Sequence, residues 1–397
     1  MREVVISGVG MTRFGKHPDR PVSSLVAEAT SEALADAGTA ASDPAIGAVY
    51  YGNVLGGLLQ GQESVRGQHA VRETGLSGVS VVNVENACAS GATALHQAWL
   101  AVASGQVEVA VALGAEKLVV EDKGRALAAL TSALDQERLA EIRAELGSRD
   151  TGSVFMDVYA RFAAWYQEAS GATAEDFALV AVKNAAHGAA NPKAQYGREL
   201  TVADVLGART VSGALTVPMC APLSDGAAAV VLTTPELAGR HGAEPVRLLA
   251  TALGSGRAGT YGELVPSVAA RAFRAAGLGP DEIDVVECHD AAAPAELIVL
   301  EQLGLCAAGE APGLLRDGQT RIGGRLPVNP SGGLQSKGHP LGATGLAQIV
   351  ELADQLRGRA GDRQAEGARY AVAENAGGYL GPDAAVAAVT ILGRTGA

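Results

Sequence analysis

Only 4% of the 397 residues are aromatic and only 19% are charged, below the quarter usual in soluble domains. Set against 48% hydrophobic residues, that shortage of charge excludes a disordered chain and calls for a large buried core. Cysteine is scarce as well. Cys88, Cys220, Cys288 and Cys306 are the four, none forms a Cys-x-x-Cys pair, and no histidine cluster stands at metal spacing, so no metal site is expected. So few thiols in so long a chain fit a reduced, cytoplasmic protein. Positive charge is in deficit: a formal net charge of −12 excludes a general nucleic-acid or anionic-membrane binder, though a local basic patch can still hold a polyanionic ligand. Long apolar runs are missing, and no segment approaches the roughly 20 residues of a membrane span. Met1-Arg2-Glu3-Val4 leads into a strand with no signal-peptide pattern, and Thr395-Gly396-Ala397 is no peroxisomal address.

Glycine is abundant, at 51 residues, and the chain carries an approximate internal duplication. In the first half a strand (4–9) is followed by a helix (25–37), strands at 48–51 and 79–84, Cys88, a helix ending at Ser104-Gly105, and a strand at 107–113. The second half repeats the order with a strand at 246–250, a helix at 268–276, a strand at 283–287 ending in Cys288-His289-Asp290, a Gly-rich stretch (331–345), a helix through Leu356, and strands at 370–373 and 386–392. Strands alternating with helices predict α/β sheets covered on both faces, and two such halves predict a five-layered α-β-α-β-α body. The expected division is 1–240 and 241–397. An insertion at about 117–222 interrupts the first half, with a charged helical stretch (121–145), a helix at 154–169 and a helix at 175–186 capped by Thr173, and is expected to fold over that half. The strand at 227–232 completes it.

Four segments carry chemistry. In Asn86-Ala87-Cys88-Ala89-Ser90-Gly91 a strand feeds a sharp turn that sets Cys88 at the head of a helix. Such a seat is expected to lower a thiol pKa and to offer N–H groups to an oxyanion, although the hexapeptide alone also fits an inert core thiol. His339 lies in the Gly-rich stretch, at the point of the second half that corresponds to Cys88 in the first, where an imidazole can take the thiol proton. His289 follows a strand end, where ligands bind in α/β sheets, and can donate to an acyl oxygen. Asp290 is expected to cap the next helix, and Cys288 to point the other way into the core. In Glu374-Asn375-Ala376-Gly377-Gly378-Tyr379, the amide of Gly377 or Gly378 can complete an oxyanion hole with that of Cys88.

Together these segments resemble the thiolases, most closely the sterol-carrier-protein-type thiolases and their bacterial relatives, over essentially the whole chain. The resemblance rests on Asn86-Ala87-Cys88-Ala89-Ser90-Gly91, on the stretch from Val328-Asn329-Pro330 through Gly338-His339-Pro340 to Ala343-Thr344-Gly345, and on Leu215-Thr216 through Cys220 and Pro222 to Ser224-Asp225-Gly226-Ala227-Ala228. It implies the thiolase fold, with duplicated βαβαβ halves and an inserted loop domain. It implies an acyl-CoA C-acyltransferase that carries the acyl group as a thioester on Cys88, activated by His339, with His289 in the first oxyanion hole and the Asn375 to Gly377 segment, through the Gly377 amide, in the second. It implies a CoA thioester as substrate with no permanently bound cofactor, a homodimer or homotetramer, and in some relatives a small OB-fold or zinc-ribbon partner protein.

The chain departs from that family at one point. The family's His-Asp-Cys-Phe reads His289-Asp290-Ala291-Ala292, and Asn375 stands where other thiolases place a second cysteine. Acylation of Cys88 is expected to survive that loss, whereas the step at the α-carbon needs another base (His289, Glu374 or Tyr379), an acceptor already nucleophilic, or a decarboxylation. A specialised biosynthetic C-acyltransferase or decarboxylating condensing enzyme is therefore the alternative, and a non-catalytic scaffold subunit the third.

Overall fold

Nine strands form one mixed sheet in the computed structural model, which describes residues 1–148, 152–257 and 259–396. In chain order the strands are β1 (Val5–Met11), β2 (Ile46–Gly52), β3 (Ser80–Val84), β4 (Val109–Lys117), a small separate hairpin of β5 (Thr210–Ser212) and β6 (Leu215–Thr216), then β7 (Asp225–Thr233), β8 (Val246–Ser255), β9 (Val285–Glu287), β10 (Tyr370–Gly377) and β11 (Val386–Arg394). The sheet runs β3-β2-β4-β7-β1-β8-β11-β10-β9. Its seam is the antiparallel contact of Val5 with Arg247 and Ile6 with Val246. Outward from the seam both halves follow one rule: two antiparallel pairings, then parallel ones. Even the missing outermost strand of the second half has a trace, a parallel bridge from Val286 to Val328. The internal duplication of the sequence is thus a duplication of topology.

Helices complete five layers. The Val22–Asp36 helix seats Leu25, Val26, Ala29 and Ala33 on Val49, Val111 and Val231 of the first half-sheet. The Ser90–Ala103 and Leu341–Leu356 helices fill the space between the half-sheets, where Ala94, Leu95 and Ala98 share a core with Leu346, Ile349 and Ala371. The Leu264–Ala276 and Ala293–Gln302 helices cover the second half-sheet on its outer face. A helix in the middle layer is wet on no side, and in Leu341–Leu356 every residue but Asp354 is buried. The two middle helices meet backbone to backbone: a Cβ at Gly345 would stand 2.6 Å from the Ala92 nitrogen, so only glycine fits.

The insertion departs from expectation. The charged stretch splits into helices Lys123–Leu130 and Leu139–Leu146, separated by a 3₁₀ turn at Thr131–Ala133. The helix Ala174–Ala189 starts as predicted, with the Thr173 hydroxyl accepting from the Asp176 amide in a capping box. These segments do not simply fold over the first half. The outer face of the first half-sheet is already occupied by Val22–Asp36, and Ala163, Tyr166, Phe177 and Val180 instead join Leu297, Leu300 and Val328 in the core of the second half. The Val154–Ser170 helix thereby roofs a cavity at the strand ends of both halves.

Candidate active site

Cys88 occupies the turn between β3 and the Ser90–Ala103 helix. Ala87 before it is held at φ 46°, in the left-handed region that costs a residue with a Cβ roughly 1–2 kcal/mol. Local bonds enforce the bend: the Ala87 amide donates to Glu85 at 2.6 Å, the Asn86 amide to the Ser90 hydroxyl at 2.8 Å, and that hydroxyl to the Ala87 carbonyl at 2.7 Å. The helix proper begins only at Ser90.

His289 follows β9, and its amide donates to Oε2 of Glu374 at 2.9 Å. Cys288 beside it is fully buried in the outer core, facing away as expected. His339 is seated by its amide on the Ser224 hydroxyl at 3.0 Å, and its Nδ1 lies 2.7 Å from the Thr344 hydroxyl. That hydroxyl also lies 3.0 Å from the Pro340 carbonyl, to which it can donate while accepting from Nδ1, and with the proton on Nδ1 the ring keeps a lone pair on Nε2.

The three predicted residues converge. One sulfur or ring nitrogen each from Cys88, His289 and His339 lies within 4.8 Å of the other two, and the imidazoles pack edge to face at 5.0 Å. Burial depresses both imidazole pKa values, to about 4 for His289 and well below the ordinary value for His339, where the nearby His289 and Lys337 add to the effect. Both rings are neutral near pH 7. The expected low thiol pKa is not found. Burial, with the Glu116 carboxylate behind it, pushes Cys88 up to about 12, against the opposing pull of the Cys88 and Gly378 amides. The helix dipole loses because the thiol is buried and an acid is close. Such a thiol can attack only as a neutral pair with a base, its proton leaving as the new bond forms.

The segment at the end of β10 divides between two faces, as strand side chains do. A Cβ at Gly377 would stand 2.8 Å from the Cys88 nitrogen, so the strand passes directly against the cysteine turn. Glu374 lines the cavity, whereas Asn375 points to the middle helices, against Gly345, with neither amide atom bonded. Asp290 does cap a helix, though not the next one. Its Oδ1 accepts from the Leu334 amide at 2.7 Å, pinning the short Gly333–Lys337 helix of the Gly-rich stretch.

Sequence reasoning passed over Glu116. This buried carboxylate accepts from the amides of Val54, Leu55 and Gly342 and from Asn53, tying the loop after β2 to the head of the middle helix that follows His339. Its signal was a lone acid at the end of an otherwise apolar strand. Thr344 was noticed only as part of a motif.

The cavity measures about 560 Å³, and its wall joins Cys88, His289, His339, Glu374 and Gly378 to Tyr159, Phe162, Trp165 and Tyr261. Such a volume and such walls suit an apolar acyl chain or the arm of a thioester. Among the described residues, Cys88 with the two histidines is also the one group of His, Cys or acidic side chains close enough together to share a metal ion. No described helix is long and apolar enough to cross a membrane.

Residues 4–212 match the model of the thiolase N-terminal domain and residues 260–394 that of the thiolase C-terminal domain-like family. An acetyl-CoA acetyltransferase of Methanothermobacter thermautotrophicus is 38% identical, with 99% of this chain and 100% of the relative covered. Sterol carrier protein 2 of Gallus gallus is 37% identical over 95% of this chain and 70% of its own, and the benzoylsuccinyl-CoA thiolase subunit BbsB of Thauera aromatica is 34% identical over 92% of each. Among solved structures, an Ltp2-ChsH2(DUF35) aldolase superposes with a TM-score of 0.81 at 28% identity, covering 100% of this chain and 98% of that one. Human mitochondrial 3-ketoacyl-CoA thiolase shares the fold, with a TM-score of 0.74 at 19% identity and 99% of each chain covered.

Proposed function

The chain belongs to the thiolase family, and from that premise we propose that it is an acyl-CoA C-acyltransferase that holds the acyl group as a thioester on Cys88. The observation that carries the reading is the approach of the Cys88 sulfur and the two imidazoles to within 4.8 Å. Nε2 of His339 takes the thiol proton as the sulfur attacks the thioester carbonyl, and passes it to the departing CoA sulfur. The amides of Cys88 and Gly378 and the unbonded Nε2 of His289 are the donors on offer to oxygens that gain charge.

A second reading, a specialised C-acyltransferase or decarboxylating enzyme, is favoured by the absence of a second thiol from the Cys88 cluster. Relatives named as a subunit and as a two-protein aldolase support a partner protein, here one of OB-fold or zinc-ribbon type. The free edge of β3, where Val82 is 41% exposed, supports a homodimer closed by pairing of this strand with its copy. Intact mass after incubation with acetyl-CoA should show one adduct, lost in Cys88→Ala. No adduct with any acyl-CoA would leave only a scaffold. Turnover of acetoacetyl-CoA with CoA separates the thiolase from the specialised enzyme.

A further inference from the structure

Carbon–carbon bond formation needs a group that takes a proton from the α-carbon of the acceptor thioester, and the cysteine that serves elsewhere in the family has no counterpart in this chain. Three residues were open from sequence: His289, Glu374 and Tyr379. The Tyr379 phenol has its pKa raised by burial and stays protonated near neutrality, so it supplies no base. The His289 ring stands against the Cys88 sulfur and the His339 ring, where it serves the acyl group already bound.

Glu374 differs from both. It is fully buried, on the cavity face of β10, three residues before the glycine that abuts the cysteine turn. One carboxyl oxygen, Oε2, is fixed by the His289 amide at 2.9 Å. The other, Oε1, has no hydrogen-bond partner, and Nε2 of His289 has none either. A buried carboxyl oxygen without a partner is costly unless a ligand completes it. Both residues line the same cavity and are joined by that amide–carboxylate bond, so a substrate held there meets the pair.

Resting on the acyl-Cys88 reading above, we propose that Glu374 is the catalytic acid–base at the acceptor α-carbon, doing the work of the absent second cysteine. Oε1 takes the α-proton, the C–H electrons become an enolate, and the enolate carbon attacks the acyl carbonyl on Cys88. The C–C bond forms as the C–S bond breaks. The expelled thiolate recovers one proton from the Glu374 carboxylic acid, so the cycle returns Cys88 as thiol and Glu374 as carboxylate. Thiolysis is the reverse. Burial raises the Glu374 pKa to about 7, which divides it between the two forms where a general base works best. The titratable groups facing it are His289, whose amide it binds, and Tyr159 and Cys288, whose pKa values its charge helps to raise, as burial and other nearby groups do more strongly.

The test uses the full chain with acetyl-CoA and hexanoyl-CoA in deuterium oxide. Two quantities are read: the Cys88 adduct by intact mass, and deuterium entering the α-carbon of unconsumed thioester. Glu374→Gln preserves shape and the acceptor for the His289 amide. It should acylate Cys88 within about threefold of wild type while α-exchange falls about 10²–10⁴-fold, the usual worth of a general base. In wild type exchange should rise with pH through about 7, a limb missing from Glu374→Gln and partly restored in Glu374→Asp. Exchange in Glu374→Gln at the wild-type rate, or equal losses of acylation and exchange, overturns the assignment, as does a wild type that acylates but exchanges nothing. A wild type that never acylates Cys88 sinks the nucleophile reading instead.

Discussion

One methyl group at Gly377 should separate chemistry from fold. The Cβ of a Gly377→Ala variant would lie 2.7 Å from the Asn86 oxygen and 2.8 Å from the nitrogens of Cys88 and Ala89. All three are backbone atoms of the turn that presents the nucleophile, so no side chain can swing aside. Reaching ordinary contact at 3.4 Å requires a displacement of about 0.7 Å, shared between the end of β10 and the cysteine turn. Overpacking of that kind costs about 1–3 kcal/mol, which a core this large survives. The chemistry is less tolerant, because an error of about 1 Å in a reacting group can cost about 10²-fold. Acylation should therefore slow by about 10- to 100-fold in a folded protein. The first-turnover release of CoA from acetyl-CoA measures the rate, and urea unfolding measures stability. Gly239→Ala is the control: its helix has nothing within 4 Å of the new Cβ, and it should gain up to about 1 kcal/mol with acylation unchanged. Wild-type acylation by Gly377→Ala would refute the claim that the β10 end holds the cysteine turn in place.

Two further outcomes follow from the buried charges. Lys183 and Glu296 form a 2.9 Å ion pair with neither side chain exposed, and Lys183→Met, which leaves the carboxylate its Asn184 and Asn329 donors but no cation, should destabilise by about 3–5 kcal/mol in urea. His289 stays neutral in the folded protein down to about pH 4, whereas the unfolded chain protonates it below about 6.5. The unfolded state thus binds more protons across that window, and stability falls as pH falls, by about 3 kcal/mol from this ring alone; His289→Asn should flatten that slope by the same amount, and an unchanged slope would refute it.

The regular elements were legible wherever period and burial agreed. The apolar run of β7 and the amphipathic Val22–Asp36 helix each bury the side their pattern announces. The Ala293–Gln302 helix escaped notice because alanines and Glu296 hide its face, although Pro294 in its first turn was a usable sign. The insertion was only partly legible, for a different reason: Ala129 does pack on Leu55 and Leu59 of the first half, but the later helices do not. Composition locates a helix but does not say which half owns the surface it must cover, and Tyr166 and Phe177 found theirs in the second half.

In the site, Cys88 and His339 were legible as candidates because each sits on a locally constrained turn: the left-handed Ala87 before Cys88, and the Gly-Pro bracket around His339. What could not be read was their electrostatics. A seat near a helix head points to a low thiol pKa, yet the outcome turns first on burial and then on Glu116, 28 positions away in sequence. The same holds for His339, whose Nδ1 meets a Thr344 hydroxyl that is itself within reach of the Pro340 carbonyl. Local sequence therefore identifies which atoms meet, while the protonation state in which they meet belongs to the packed fold. The resting thiol is neutral, so under the proposed mechanism its base acts during attack rather than before it.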